Sequence, residues 1–211
     1  MTLKLYFAPG SCAFASLIAL EEAGASYEAQ PVMLAAGEQK RPEFLALNAR
    51  GQVPVMDADG QLIRENLAVL SFIAHRFPDA KLLPFADPVA IGRAYEMLSW
   101  FATNLHVAIA QIWRTERFTE DDAVKESLKA SGTRNFERTL GVFNQMSADG
   151  GPFLLGERFS VVDALAPVAA RWMKRLAIEQ AAFPDFNRLV ENVERRPSYA
   201  RALQRETNDV R

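Results

Sequence analysis

The sequence predicts an α/β unit followed by an all-helical domain. Three observations carry this. Short apolar, β-prone runs alternate with helical stretches up to about Phe77. A stretch holding three prolines then spans 78–88. Beyond it, every periodic segment has helical spacing and none alternates as a strand does. Domains are therefore expected over 1–78 and 89–211, with a linker over 79–88.

Leu3 to Phe7 is mostly apolar and suits a buried strand, ended by Pro9-Gly10. Ser11 is an N-cap candidate for an Ala/Leu-rich helix that runs to about Ala23 and stops at Gly24. Ser26 to Leu34 can form a second strand, with Pro31 pointing to an edge. A polar loop over 35–41 leads to a short helix opened by Pro42. Val53–Asp57 and Gln61–Arg64 flank Asp59-Gly60, a hairpin signal. Glu65 to Phe77 is helical, completing the order βαβ-α-ββα.

In the second part, Asp87-Pro88 opens one long helix carrying Trp100, Phe101, Leu105, Ile109 and Trp113. Thr119-Glu-Asp-Asp starts another, expected to stop before Asp149-Gly150-Gly151-Pro152. Ser160-Val-Val-Asp163 resembles a capping box ahead of Ala164–Leu176, with Asp in place of Glu or Gln. Ser160 and Asp163 are read as structural. Two shorter helices follow near Pro184–Arg195 and Pro197–Glu206.

Composition bounds the function. The chain has 211 residues, 49% hydrophobic and 24% charged, a globular balance. A net charge of −2 gives no electrostatic footprint for nucleic acid. No apolar run has bilayer-spanning length, and the first residues lack a signal peptide's basic region, so neither membrane insertion nor export is expected. A single cysteine forms no internal disulfide and has no cysteine partner for a structural zinc site. A cytoplasmic location and no metal are the expectation.

That cysteine, Cys12, falls in the first turn of a helix, where free N–H groups and the helix dipole favour an anion. The placement predicts a thiol that ionises more readily than a free one, against the alternative of an inert buried cysteine. Ser11 is a cap whose hydroxyl could instead meet a thiolate. Val53-Pro54 is either an ordinary trans proline at a strand start or a cis bond leaving the Val53 main chain open to an extended peptide. Glu65-Asn66, at a helix start, is either a cap or a cup for a carboxylate and an ammonium group. Together these sites describe a receptor for a short thiol peptide with a free amino-acid end.

These motifs are similar to those of cytosolic glutathione transferases, and the likeness extends over the whole chain. Pro9-Gly10-Ser11-Cys12 resembles the motif of the bacterial beta class, whose cysteine contacts the glutathione sulfur. Gly51-Gln52-Val53-Pro54 resembles the family's cis-proline motif, and Glu65-Asn66 lies at its Glu-Ser pair. The resemblance implies a thioredoxin-like first domain, glutathione as co-substrate, a small hydrophobic electrophile, a detoxifying role and a homodimer. It assigns Gln52, Val53, Pro54, Glu65 and Asn66 to glutathione, and Cys12, Ser11 and His106 to its sulfur. Asn66 is a departure, replacing a hydroxyl with an amide. Phe7 stands where some classes carry a tyrosine hydroxyl, so a tyrosine mechanism there is excluded.

Phe7, Trp113 and Arg114 are candidates for the electrophile side. Arg117 reads as a solvated cation or a cleft residue, and Lys40-Arg41 as an exposed pair or a contact for the peptide's glycine carboxylate. His75 is expected at the surface. A glutathione-dependent thiol–disulfide reductase or peroxidase acting through Cys12 and a non-catalytic ligand-holding or interaction module are the alternatives to conjugation.

Overall fold

A computed structural model describes residues 2–148 and 151–208. Four strands form one mixed sheet: β1 (Leu3–Phe7), β2 (Glu28–Pro31), β3 (Val55–Ala58) and β4 (Gln61–Arg64), in the order β2-β1-β3-β4. β2 runs parallel to β1, while β3 runs antiparallel to β1 and to β4. Leu3, Leu5 and Phe7 alternate into the core. The predicted hairpin is present: Ala58 pairs with Gln61, and the two loop residues Asp59 and Gly60 both take positive φ. Its tip is pinned by Gly60 N–H donating to Asp57 Oδ1 at 2.7 Å.

α1 (Ala13–Glu22) supplies the parallel crossover and buries Ala13 through Leu20 without a break. α2 (Pro42–Leu47) follows two single 3₁₀ turns, where a plain loop was expected. α3 (Asn66–Arg76) packs beside α1 on the same side of the core. β2 is shorter than expected because its residues are half-exposed at the sheet edge, and β3 starts only after Pro54.

The helical part comprises α4 (Pro88–Trp100), α5 (His106–Trp113), α6 (Asp122–Ala148), α7 (Leu165–Arg175), α8 (Pro184–Glu194) and α9 (Pro197–Asn208). The Pro-rich stretch between the two parts is packed. Leu82 and Leu83 are buried, and the Leu82 carbonyl accepts from Val161 N–H at 3.0 Å. The Asp87 carboxylate caps α4 through the N–H groups of Val89 and Ala90, as the Asp-Pro signal implied. Asp121 does the same for α6 through Ala123. The expected stop signal at Asp149-Gly150 lies outside the described residues.

One long helix was expected from Pro88 to Trp113. Instead, a π-helical turn over Phe101–Leu105 separates α4 from α5. Thr103 Oγ1 donates to the Ser99 carbonyl at 2.8 Å, and Asn104 Nδ2 to that of Trp100 at 3.2 Å. These side chains occupy carbonyls that an α-helical ladder would use, a competition that periodicity of apolar residues does not register.

Ser160-Asp163 is structural as expected, but the box is only half formed. Asp163 Oδ2 accepts from Ser160 N–H at 2.7 Å, while the Ser160 hydroxyl donates to that same oxygen rather than accepting from the helix. Asp163 Oδ1 accepts from Leu154 N–H at 2.7 Å, so this fully buried carboxylate ties the preceding loop to the entry of α7. α9 returns to the first unit. Arg196 and Ser198 meet Glu22, and Arg201 meets Glu21, placing cations against acids at the C-terminal end of α1. The dipole alone disfavours acids at that end.

Candidate functional site

A cleft of about 480 Å³ opens between the sheet unit and the helices. Its walls include the Pro9–Cys12 turn, Gln52–Pro54, the start of α3, and His106, Trp113 and Trp172 from the helical part. No helix among the described residues is long and apolar enough to cross a membrane. Among the same residues, no three His, Cys, Asp or Glu side chains come together as a metal site would require.

The Pro9-Gly10 turn takes its shape from local chemistry. Gly10 has φ +74, a conformation that costs glycine little. The Ser11 hydroxyl donates to the Ala8 carbonyl at 2.7 Å and accepts from Ala13 N–H at 3.2 Å. Ser11 is thus a cap, as the sequence implied, and its hydroxyl is committed to the backbone.

Cys12 corrects the expectation of an easily ionised thiol. It is 4% exposed at the floor of the cleft, and burial pushes its pKa up to about 12. The backbone at the helix start works against this shift, and the charge of Glu65 works with it. Desolvation wins because a thiolate loses its water shell there, while α1 returns only part of that in N–H groups. The thiol instead points toward the Val53 carbonyl, with Sγ–H donating at 4.0 Å.

The Val53–Pro54 peptide bond is cis. Both residues lie ahead of the ladder, whose pairing begins at Val55. The turn before them depends on Gly51, at φ +60, where a Cβ would come within 2.8 Å of the Gln39 carbonyl oxygen. Asn48 Nδ2 donates to the Gln52 carbonyl at 2.7 Å and braces the same turn.

Glu65 lies ahead of α3 with φ 70 and ψ 127, unusual for a residue bearing a Cβ and worth roughly 1–3 kcal/mol of strain. Its exposed carboxylate meets Arg50 at 2.9 Å. The Asn66 amide faces inward rather than into an open cup. Nδ2 donates to the Cys12 carbonyl at 3.1 Å, and Oδ1 accepts from the Ser16 hydroxyl at 2.8 Å. Asn66 therefore braces the cysteine turn, and the groups left for a ligand at this helix start are backbone N–H donors.

His106 follows the π-helical turn and lines the cleft. Its ring stacks on Trp172 at 5.3 Å between centroids. Burial, helped by the charge of Arg117, pulls its pKa down to about 4, so the imidazole is neutral near pH 7. Trp113 and Arg114 line the cleft as expected, with Arg114 paired to Glu116 at 2.8 Å. Lys40 lines it as well, while Arg41 pairs with Glu38. His75 is exposed, as expected of a surface residue, and its ring lies tilted against Phe85. Phe7 corrects the electrophile-side assignment: it is fully buried in the sheet core, because every second residue of β1 faces inward.

Trp172 and Glu206 are site residues that sequence reasoning missed. Trp172 Nε1 donates to the Gly10 carbonyl at 3.1 Å, and Glu206 accepts from Gly10 N–H at 2.9 Å. Arg171 pairs with Glu206 and neutralises it. The helical part thereby holds both polar groups of Gly10. A tryptophan and an acid on amphipathic helices give no local signal of that role.

Comparison with known proteins agrees with this architecture. Residues 1–75 match the family model "Glutathione S-transferase, N-terminal domain", and residues 106–197 match "Glutathione S-transferase, C-terminal domain". The chain belongs to the glutathione S-transferase family. It is 26% identical to glutathione S-transferase GstA of Escherichia coli O157:H7, covering 97% of this chain and 98% of that one. A glutathione transferase homolog from Sulfitobacter, solved with bound glutathione, superposes with a TM-score of 0.89 at 30% identity, over 96% and 97% of the two chains. The bacterial beta class enzyme of Sphingomonas chungbukensis superposes at 0.84 with 29% identity, over 97% and 98%.

Proposed function

We propose that this protein is a glutathione transferase that binds glutathione in the cleft and directs its sulfur onto a small electrophile. The peptide main chain lies along Val53, beside Gln52 and Pro54. The γ-glutamyl carboxylate takes N–H donors at the start of α3, from Asn66 and Leu67, and the ammonium faces Glu65. Lys40 faces the glycine carboxylate. The sulfur lies between Cys12 and His106, with Ser11 holding the turn that carries Cys12.

One observation carries this: a protonated thiol and a neutral imidazole border the same cleft as the Val53 main chain. Both are donors suited to a sulfur anion. Each donated hydrogen bond favours the ionised form of glutathione and lowers its thiol pKa. The freed proton leaves to solvent. The thiolate then forms a carbon–sulfur bond as the electrophile's leaving group departs with its electron pair. Cys12 acts as a donor throughout. The reductase alternative needs a Cys12 thiolate as nucleophile, which the raised pKa opposes.

The sheet unit, 1–78, is the glutathione-binding domain, and 89–211 after the 79–88 linker supplies the electrophile side. Relatives from bacteria support a bacterial source, and a cytoplasmic, detoxifying role belongs to the same reading. The resemblance supports a homodimer in which each sheet unit packs on the partner's helical domain.

Calorimetry with glutathione and conjugation kinetics of Cys12→Ala test the assignment. Heat of binding is expected below millimolar glutathione. Conjugation of a nitro-activated aryl chloride should persist in the variant, lower by about tenfold for one lost charge-assisted donor. Absence of heat at millimolar glutathione contradicts both enzymatic roles and favours a non-catalytic module.

A further inference from the structure

We infer that the electrophile side of the cleft selects substrates carrying a carboxylate, and that Arg117 and Arg175 receive it. The inference rests on glutathione occupying the site as proposed above. It comes from the charge balance of the walls. Four cations line the cleft: Lys40, Arg114, Arg117 and Arg175. Arg114 is neutralised by Glu116, and the other lining acid, Glu65, is taken by Arg50. Lys40 follows Gln39, whose carbonyl packs against Gly51, and its charge also acts on Glu116. Arg117 and Arg175 line the helical wall, and neither forms an ion pair among the described residues.

Their surroundings specify more than charge. The Arg175 guanidinium lies 4.6 Å over the Trp113 ring. Trp113 meets Trp172 edge-on at 6.4 Å, and Trp172 carries His106 on its face. Arg117 is near enough to His106 for its charge to act on that ring. Two guanidinium groups thus border the aromatic wall that leads to the sulfur position. Arginine presents a planar fork matched to a carboxylate, and Arg175 is held in place by its stacking over Trp113. A neutral electrophile meets only the apolar lining of the cleft, whereas one with a carboxylate also engages the two unpaired cations.

A matched probe pair tests this: 4-chloro-3-nitrobenzoate and its methyl ester. In both, the glutathione thiolate attacks the ring carbon bearing chlorine, the carbon–sulfur bond forms and chloride leaves. Each kcat/KM is divided by the uncatalysed rate with glutathione, which removes intrinsic reactivity. The acid should exceed the ester by about tenfold or more, with the preference shrinking as ionic strength rises. Arg117→Ala/Arg175→Ala should bring the ratio close to one, and Arg117→Lys/Arg175→Lys should restore part of it.

Calorimetry of glutathione and of the two purified conjugates separates the failures. Equal affinity for the acid and ester conjugates, with glutathione bound, overturns this inference alone. A double Ala variant that loses glutathione affinity but keeps the acid-to-ester ratio assigns the arginines to the peptide and also overturns it. Absence of binding by glutathione and by both conjugates overturns the inference together with the transferase assignment.

Discussion

At the scale of single residues, the site works through two groups held in their neutral forms. Cys12 was expected to ionise because it starts a helix, and that local feature is present. Burial was not legible from position and outweighs it. His106 shows the same physics with the opposite sign of shift. Its pKa is held near 4, below its ordinary 6.5. As pH falls from 6.5 toward 4, the unfolded chain takes up a proton that the folded chain refuses. The stability this residue contributes is therefore full above 6.5 and lost across that window. Urea unfolding of the wild type and His106→Gln at pH 7 and pH 5 checks this. The wild type should lose more stability between the two conditions than the variant. Equal losses would mean that His106 titrates alike in both states.

At the scale of elements, the site depends on how closely α5 approaches α6. Gly132 on α6 makes that approach possible: a Cβ there would come within 2.9 Å of both Gln111 Cβ and Ile112 Cγ1 on α5. Those atoms sit near the backbone and cannot swing aside. Gly132→Ala should cost about 1–3 kcal/mol by overpacking, despite alanine's better helix propensity. Because α5 also carries His106 and Trp113, kcat/KM for conjugation should fall with it. Thermal unfolding and steady-state kinetics of the variant measure both. An unchanged melting temperature would show that the two helices separate freely. The helix itself was legible in the sequence, because its caps and period are local. The π-helical turn before His106 was not, since it arises from Thr103 and Asn104 competing for carbonyls within an otherwise regular apolar pattern.

Across the whole molecule, the cleft joins residues that are far apart in sequence. The sheet unit was readable almost element by element: each strand and turn has its own local punctuation, and the Asp59-Gly60 hairpin is the clearest case. Cys12, Val53 and Asn66 were readable as site residues because each follows a turn or helix signal. Trp172 and Glu206 were not, because they reach Gly10 across 162 and 196 residues. No spacing rule connects such positions. Arg117 stayed ambiguous and Arg175 went unnoticed for the same reason, since only the assembled wall shows which cations line it without an ion-pair partner. The most direct test of the account is a crystal structure of the complex with glutathione. The account predicts the tripeptide main chain along Val53, with its sulfur within hydrogen-bond reach of both the Cys12 thiol and the His106 ring. A tripeptide bound elsewhere, or a sulfur turned away from both groups, would contradict it.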